Sequence, residues 1–349
     1  MDKKRIIFFG FGIMIILALI DWAGAKGIAD ILKTADWKYL LLAVFVYVLT
    51  IIALALRWKV LLSAIEINAP FRKVFKAVFV GMFFNNISPG AKGLGEFIRV
   101  YYLAKETKKP YGGITASVMM DRILDLVPVG FMMVAATLHT YSLGEKALTV
   151  LIVLLDLVMI GFTFLVISVL MSEEKADKVV WWIYRFYKKI SPSGARQHLD
   201  GFKKIIEVTI PRFQGDFKKL ERAKGGTTLA IGYSFAYWLL TIARYYLVFL
   251  AVGYPLNPQD ITVVLVVGMV VGMFAIIPGG AGIVEAVNTA VFISLGINPE
   301  LAVTGVLIER LISFWGPTLV GSFTVAELGS GEEMPLPAPD VSVLEEDGG

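Results

Sequence analysis

No cysteine occurs among the 349 residues. Its absence excludes disulfides, thiolate metal sites and cysteine nucleophiles, and leaves the redox compartment undetermined. Histidine is nearly as scarce: His139 and His198 stand far apart, close to predicted loops, and give no basis for a histidine metal cluster. Charge is thin as well, at 18% of residues. No G-x-x-x-x-G-K-[ST] loop is present, so ATP hydrolysis by this chain is not expected. What remains is apolar, with 57% hydrophobic residues and a mean hydropathy of +0.72. Runs at about 6–20, 39–64, 112–138, 146–171, 228–252 and 299–325 approach or exceed the roughly 20 residues that cross a bilayer. The composition therefore predicts an all-α polytopic membrane protein: one membrane domain over residues 1–328, then a disordered acidic tail, 329–349, carrying Pro335, Pro337, Pro339 and Glu345-Glu346-Asp347.

Two short stretches are versions of one another. Pro89-Gly90-Ala91-Lys92-Gly93-Leu94-Gly95-Glu96 and Pro278-Gly279-Gly280-Ala281-Gly282-Ile283-Val284-Glu285 both fit P-G-x-x-G-[LI]-x-E. Asp121-Arg122 follows Glu96 by 25 residues, and Glu309-Arg310 follows Glu285 by 24. Pro128 and Pro317 close the two blocks; Arg57 and Arg244 precede them, 32 and 34 residues before the first proline of each. The chain is an internal duplication, with repeat one over 5–138 and repeat two over 146–327. Ala23-Gly24-Ala25 has the small residues of a signal-peptidase site, but the second copy also has a helix ahead of its arginine helix, which favours a retained one. Residues 21–38, with Asp21, Lys26, Asp30, Lys33 and Asp36, read as a short loop.

The flanks of the first break, 77–87 and Leu94–Leu103, are too short to span at 1.5 Å per residue. They predict a re-entrant hairpin with Pro89, Gly90 and Gly93 as its hinge, tolerated at membrane depth only where protein or a watery cavity surrounds it. The second break, hinged at Pro278, Gly279 and Gly282, has longer flanks (Ile261–Ile277 and Ile283–Leu295), so two tilted spans stay open there. The total is about six full spans plus two hairpins, or eight or more spans. With the amino terminus inside, the basic clusters at 3–5, 72–76, 105–109 and 175–224 all fall on the cytoplasmic side, and the basic-poor loops near 139–146, 253–260 and 296–300 fall outside. Both termini are then cytoplasmic, in a cell membrane. The copies insert from opposite faces, as inverted-topology repeats. The segment 172–227 carries thirteen Lys/Arg against seven acidic residues. Ile183, Phe186, Tyr187 and Ile190 recur there at helical spacing opposite Lys188 and Lys189, which fits either amphipathic helices on a headgroup surface or a solvated loop.

Charges at membrane depth face a cavity or a partner. Arg57, Arg122, Arg244 and Arg310 fall within or at the ends of spans, and guanidinium offers phosphate a bidentate fork. Glu96 and Glu285 lie at the starts of half-helices whose positive ends add anion affinity. Two readings stand side by side. These groups contact substrate, or they are staples that fix helix order, with Arg57 and Arg244 free to snorkel to an interface. Asp125 shares a helix face with Asp121 and can pair with Arg122. Asp156 is a candidate proton or cation relay. Trp37, Trp58, Trp181, Trp182 and Trp238 read mostly as interface anchors.

The N-x-x-P-x-x-x-x-x-G-E region (Asn86, Pro89, Gly95, Glu96), Asp121-Arg122-x-x-Asp125 and the second P-G-G-x-G-x-x-E together resemble the flippase-like membrane domain of lysylphosphatidylglycerol synthases, over roughly residues 5–327. That resemblance implies lipid translocation. It does not imply lysyl transfer, because no soluble aminoacyl-transferring domain follows. The expected function is a non-enzymatic lipid translocase whose partners are membrane lipids with anionic headgroups, without cofactor, metal or nucleic acid. Arg57, Arg122, Arg244, Arg310, Glu96, Glu285, Asp125 and Asn86 are its candidate substrate contacts. Two alternatives are a secondary transporter of ions or small solutes and a Mg²⁺-dependent lipid-phosphate transferase built on Asp121-x-x-x-Asp125.

Overall fold

A computed structural model describes residues 3–88, 93–109, 111–170, 172–190, 210–275 and 277–329. Among these residues there is no strand. Five helices are each long and apolar enough to cross a membrane: α3 (Trp37–Ala64), α6 (Tyr111–Ser142), α7 (Lys146–Leu170), α10 (Lys224–Ala251) and the run Pro299–Glu327. That last run is α13 (Pro299–Arg310), a π-helical turn at Leu311–Trp315 and α14 (Gly316–Gly329). A sixth candidate is bent. α1 (Lys3–Ala23) meets α2 (Ala25–Thr34) at 87°, with Gly24 between them at φ 101°. The loop expected over 21–38 is therefore largely helix. Residues 25–34 are amphipathic and bury Ile28, and the turn is made where only glycine adopts that φ without strain.

Both breaks form helical hairpins. α4 (Phe71–Ile87) packs on α5 (Leu94–Thr107), and α11 (Pro258–Phe274) packs on α12 (Ile283–Ser294). The longest of these arms has 17 residues, about 25 Å of helix, and the second hairpin is no longer than the first. The alternative of two tilted spans there is not what the fold adopts. Within the first hairpin the helices touch backbone to backbone: a Cβ on Gly95 would lie 2.0 Å from the Gly81 carbonyl oxygen.

The two repeats interlock. α3 and α10 run antiparallel along their whole length: the Asp36 amide donates to the Ala251 carbonyl at 2.8 Å, and at the far ends Gly226 sits beside Ala64. Each hairpin's first arm packs on the last helix of the opposite repeat, α4 on α14 and α11 on α6. Polar contacts pin both seams: Lys76 pairs with Glu327 at 2.6 Å, and His139 Nε2 shares a hydrogen bond with Asp260 Oδ1 at 2.7 Å. The equivalence extends to the short helices. α2 packs on the start of α13, and α9 (Ile210–Arg222) packs on α6 beside Gly113.

In the basic segment α8 (Glu173–Ile190) and α9 are both amphipathic helices, and α9 buries Gln214, Phe217 and Leu220. The expected apolar side chains of α8, Ile183, Phe186, Tyr187 and Ile190, fall outside the described side chains, and His198 and the tail from 330 fall outside the described residues.

Candidate functional site

Repeat one gathers three guanidiniums and three carboxylates. Arg57, fully buried on α3, donates from Nε to Asp121 Oδ1 at 2.5 Å, from Nη2 to Asp125 Oδ2 at 3.1 Å, and from Nη1 to Ser234 Oγ at 2.8 Å and to Asp125 Oδ1. The i, i+4 spacing of the two aspartates on α6 lets both reach one guanidinium. Asp121 Oδ2 accepts from Nη2 of Arg99 at 3.2 Å. Arg99 lies 4.7 Å above the Trp58 ring, and its Nε sits 2.6 Å from Glu96 Oε2, a charge contact without hydrogen-bond alignment. Glu96 Oε1 accepts from Arg122 Nη2 at 2.8 Å, and Arg122 Nη1 is 3.8 Å from Asp125. Glu96 stands in the first turn of α5, where the helix dipole also favours a carboxylate.

Repeat two builds the same arrangement with fewer charges. Arg244 on α10 donates from Nε and Nη2 to Glu309 Oε1 at 3.2 and 2.7 Å. Arg310 donates from Nε to Glu285 Oε1 at 2.8 Å and from Nη2 to the Gly279 carbonyl at 3.2 Å. Glu285 caps its own helix, accepting the Gly282 amide at 2.8 Å. Gly279, Gly280 and Gly282 all have positive φ (58°, 68° and 83°), which turns the chain sharply enough to aim that amide and the Gly279 carbonyl inward. Asn288 stands where repeat one has Arg99, and Ser313 stands where it has Asp125. One cation and one anion are lost together, so both clusters stay balanced.

The clusters are tied across the repeats. Ser234 of α10 serves Arg57, and its counterpart Tyr47 of α3 lies under Arg244, 5.0 Å from guanidinium to ring. Pro317 has no amide hydrogen, which leaves the Ser313 carbonyl free; Tyr47 Oη donates to it at 3.3 Å.

Of the expected contacts, Arg57, Glu96, Arg122 and Asp125 meet in one cluster, and Arg244, Glu285 and Arg310 lie in the other, where Arg244 pairs with Glu309. Arg57 and Arg244 do not snorkel: their side chains are buried and paired with carboxylates, because desolvating a guanidinium beside a carboxylate costs less than leaving either alone. Asn86 stands apart from the charges. Its Nδ2 donates to Thr318 Oγ1 at 2.8 Å and to the Phe314 carbonyl, joining the first hairpin to the opposite repeat. Pro89 and Gly90 fall outside the described residues, and Gly93 precedes α5 with helical angles. Trp58 is no interface anchor, since it is fully buried and donates to Ser117 Oγ at 2.9 Å; Trp37 and Trp182 are exposed. Asp121 has both oxygens engaged by arginines, which fill the places a Mg²⁺ would need. Asp156 accepts from Thr137 at 3.1 Å through one oxygen, and its other oxygen has no partner among the described residues.

Arg99 is the functional side chain that sequence reasoning missed. A search keyed to the duplication passes over it because the second copy has asparagine there. Its position three residues after Glu96 on one helix face was the available signal.

Fold and site together define a polytopic helical membrane protein with an internally duplicated, charge-balanced centre. A family model described as the lysylphosphatidylglycerol synthase TM region matches residues 7–321. The chain belongs to that family. It is 31% identical over 323 residues to a UPF0104 membrane protein of Pyrococcus horikoshii, covering 92% of this chain and 96% of that one. It is 28% identical over 333 residues to a UPF0104 membrane protein of Methanothermobacter thermautotrophicus, covering 95% and 97%. A shorter match, 26% identical over 132 residues, covers 36% of this chain and 15% of a phosphatidylglycerol lysyltransferase of Bacillus subtilis.

Proposed function

We propose that this protein moves an anionic amphiphile, a phospholipid or a polyprenyl-phosphate-linked lipid, between the leaflets of the cell membrane. The carrying observation is the stacking of two guanidinium–carboxylate stations along one antiparallel helix pair. Tyr47, which underlies the Arg244 station, and Arg57 are ten residues apart on α3, about 15 Å along the helix axis. A headgroup would meet one arginine-bearing station in each repeat, the two related by the duplication. Ten charged side chains at membrane depth would each cost at least about 2.5–3.5 kcal/mol to insert, and such groups are commonly functional. The similarity to a protein named for phosphatidylglycerol supports a phosphate-bearing lipid. Rocking of the interlocked repeats exposes the stations alternately, driven by an ion gradient or by the lipid gradient itself. Both chain ends are cytoplasmic in this reading.

Reconstitution into liposomes with labelled anionic lipids tests it. Wild type is expected to move label between leaflets, and the Arg122→Ala/Arg310→Ala double variant to lose that activity. Equal rates in both would remove the arginines from the mechanism. The unpartnered oxygen of Asp156 favours a second reading, transport of a cation; ion flux in vesicles without added lipid substrate separates the two.

A further inference from the structure

The two centres are duplicates in sequence but unequal in space. Arg122 leaves 45% of its side chain accessible, against 13% for its counterpart Arg310 and 0% for Arg57. Among the described residues its Nη2 alone makes a hydrogen bond, to Glu96, and Nη1 stands 3.8 Å from Asp125. Arg310 uses Nε and Nη2, and the Phe314 ring lies 4.2 Å from its guanidinium carbon. The residue in repeat one that corresponds to Phe314 is Leu126, which has no ring to cover Arg122.

We infer that Arg122 is the anion-binding position of this conformation, and that Arg310 is its closed image. The ligand is an oxyanion of phosphate-ester type: Nε and Nη1 of Arg122, which make no hydrogen bond among the described residues, offer two donors to its oxygens. Glu96 stays held by Arg99 when Arg122 turns to the ligand, and Asp125 stays held by Arg57. The buried part of the cluster therefore survives binding intact. This assignment rests on the translocation reading for its lipid source, but the binding site itself does not.

The experiment uses the full chain in nanodiscs and reads binding without transport. One arm contains phosphatidylglycerol in a phosphatidylcholine background, detected by native mass spectrometry. The other contains phosphatidylcholine alone with added inorganic phosphate, read by calorimetry. Arg122→Gln and Leu126→Phe are each expected to weaken binding roughly tenfold or more in whichever arm binds. Leu126→Phe does so without altering any charge, by importing the ring that covers Arg310. Phe314→Leu, the reciprocal exchange, should leave binding within about twofold, because Arg310 remains tied to Glu285 and Gly279. Melting temperatures are recorded for each variant to show that the fold is retained. Binding in the lipid arm assigns a lipid headgroup, and binding in the phosphate arm alone assigns a soluble anion. Absence of binding in both, or Leu126→Phe binding as tightly as wild type, overturns the assignment. Lipid bound at Arg122 without movement between leaflets would instead overturn only the translocation reading.

Discussion

Arg57 touches more carboxylate than any other group in repeat one, and its worth can be measured apart from transport. Replacing it by methionine leaves Asp121 and Asp125 without that guanidinium in a buried setting, and such a loss costs about 3–5 kcal/mol. Thermal unfolding in detergent should show a large drop for Arg57→Met and substantial recovery in the Arg57→Met/Asp125→Asn combination, where Arg99 and Arg122 face Glu96 and Asp121 and the charges balance again. A single variant as stable as wild type would mean that Arg99, Arg122 and water satisfy the aspartates without Arg57. The positions of these charges were legible in the amino-acid sequence, because arginine and aspartate inside apolar runs stand out. Their pairing was not. Glu96 could have met Arg122 or Arg310, and only the packing of α5 on α6 makes Arg122 its partner.

At the hairpins, the length of each arm sets what the element can do. Neither α4 nor α5 reaches across a bilayer, and both are held by close backbone approach at Gly81 and Gly95. Gly95→Ala puts a methyl 2.0 Å from the Gly81 oxygen and 2.5 Å from Asn85 Cγ, so the arms must part. The expected loss is about 1–3 kcal/mol of stability, with release of Glu96 from Asn85 and Arg122, read by thermal unfolding and by lipid binding. An unchanged protein would show that the hairpin is looser than described here. The first hairpin was readable from the motif and from arm length; of its expected hinge only Gly93 lies among the described residues, with helical angles. The helix at 25–34 was not, because its charges resembled those of a loop; its apolar face acquires meaning only against α13.

Across the whole molecule, the antiparallel pairing of α3 and α10 places the end of one beside the start of the other. A Cβ on Gly226 would lie 3.4 Å from that of Ala64, close to the roughly 3.8 Å of a disulfide. The Ala64→Cys/Gly226→Cys variant of this cysteine-free chain should therefore cross-link on mild oxidation. Protease cleavage within the basic segment 172–227 would then leave the halves joined until reductant is added. Failure to cross-link would undo the interlocked repeat arrangement. In the same background, single cysteines near the two hairpin tips should label from opposite compartments. Labelling from one side only would refute inverted insertion. Taken alone, the sequence determined the membrane class, the duplication and the residues that carry charge at depth. Those follow from local hydropathy and spacing, which a chain displays without being folded. Tertiary structure alone decided that Arg99 completes the first cluster, that Trp58 and Arg57 are interior, and that Arg122 is open where Arg310 is shut. Partner choice and accessibility are properties of packed helices, and two copies of one motif can differ in both when a single neighbour, Leu126 or Phe314, does or does not supply a ring.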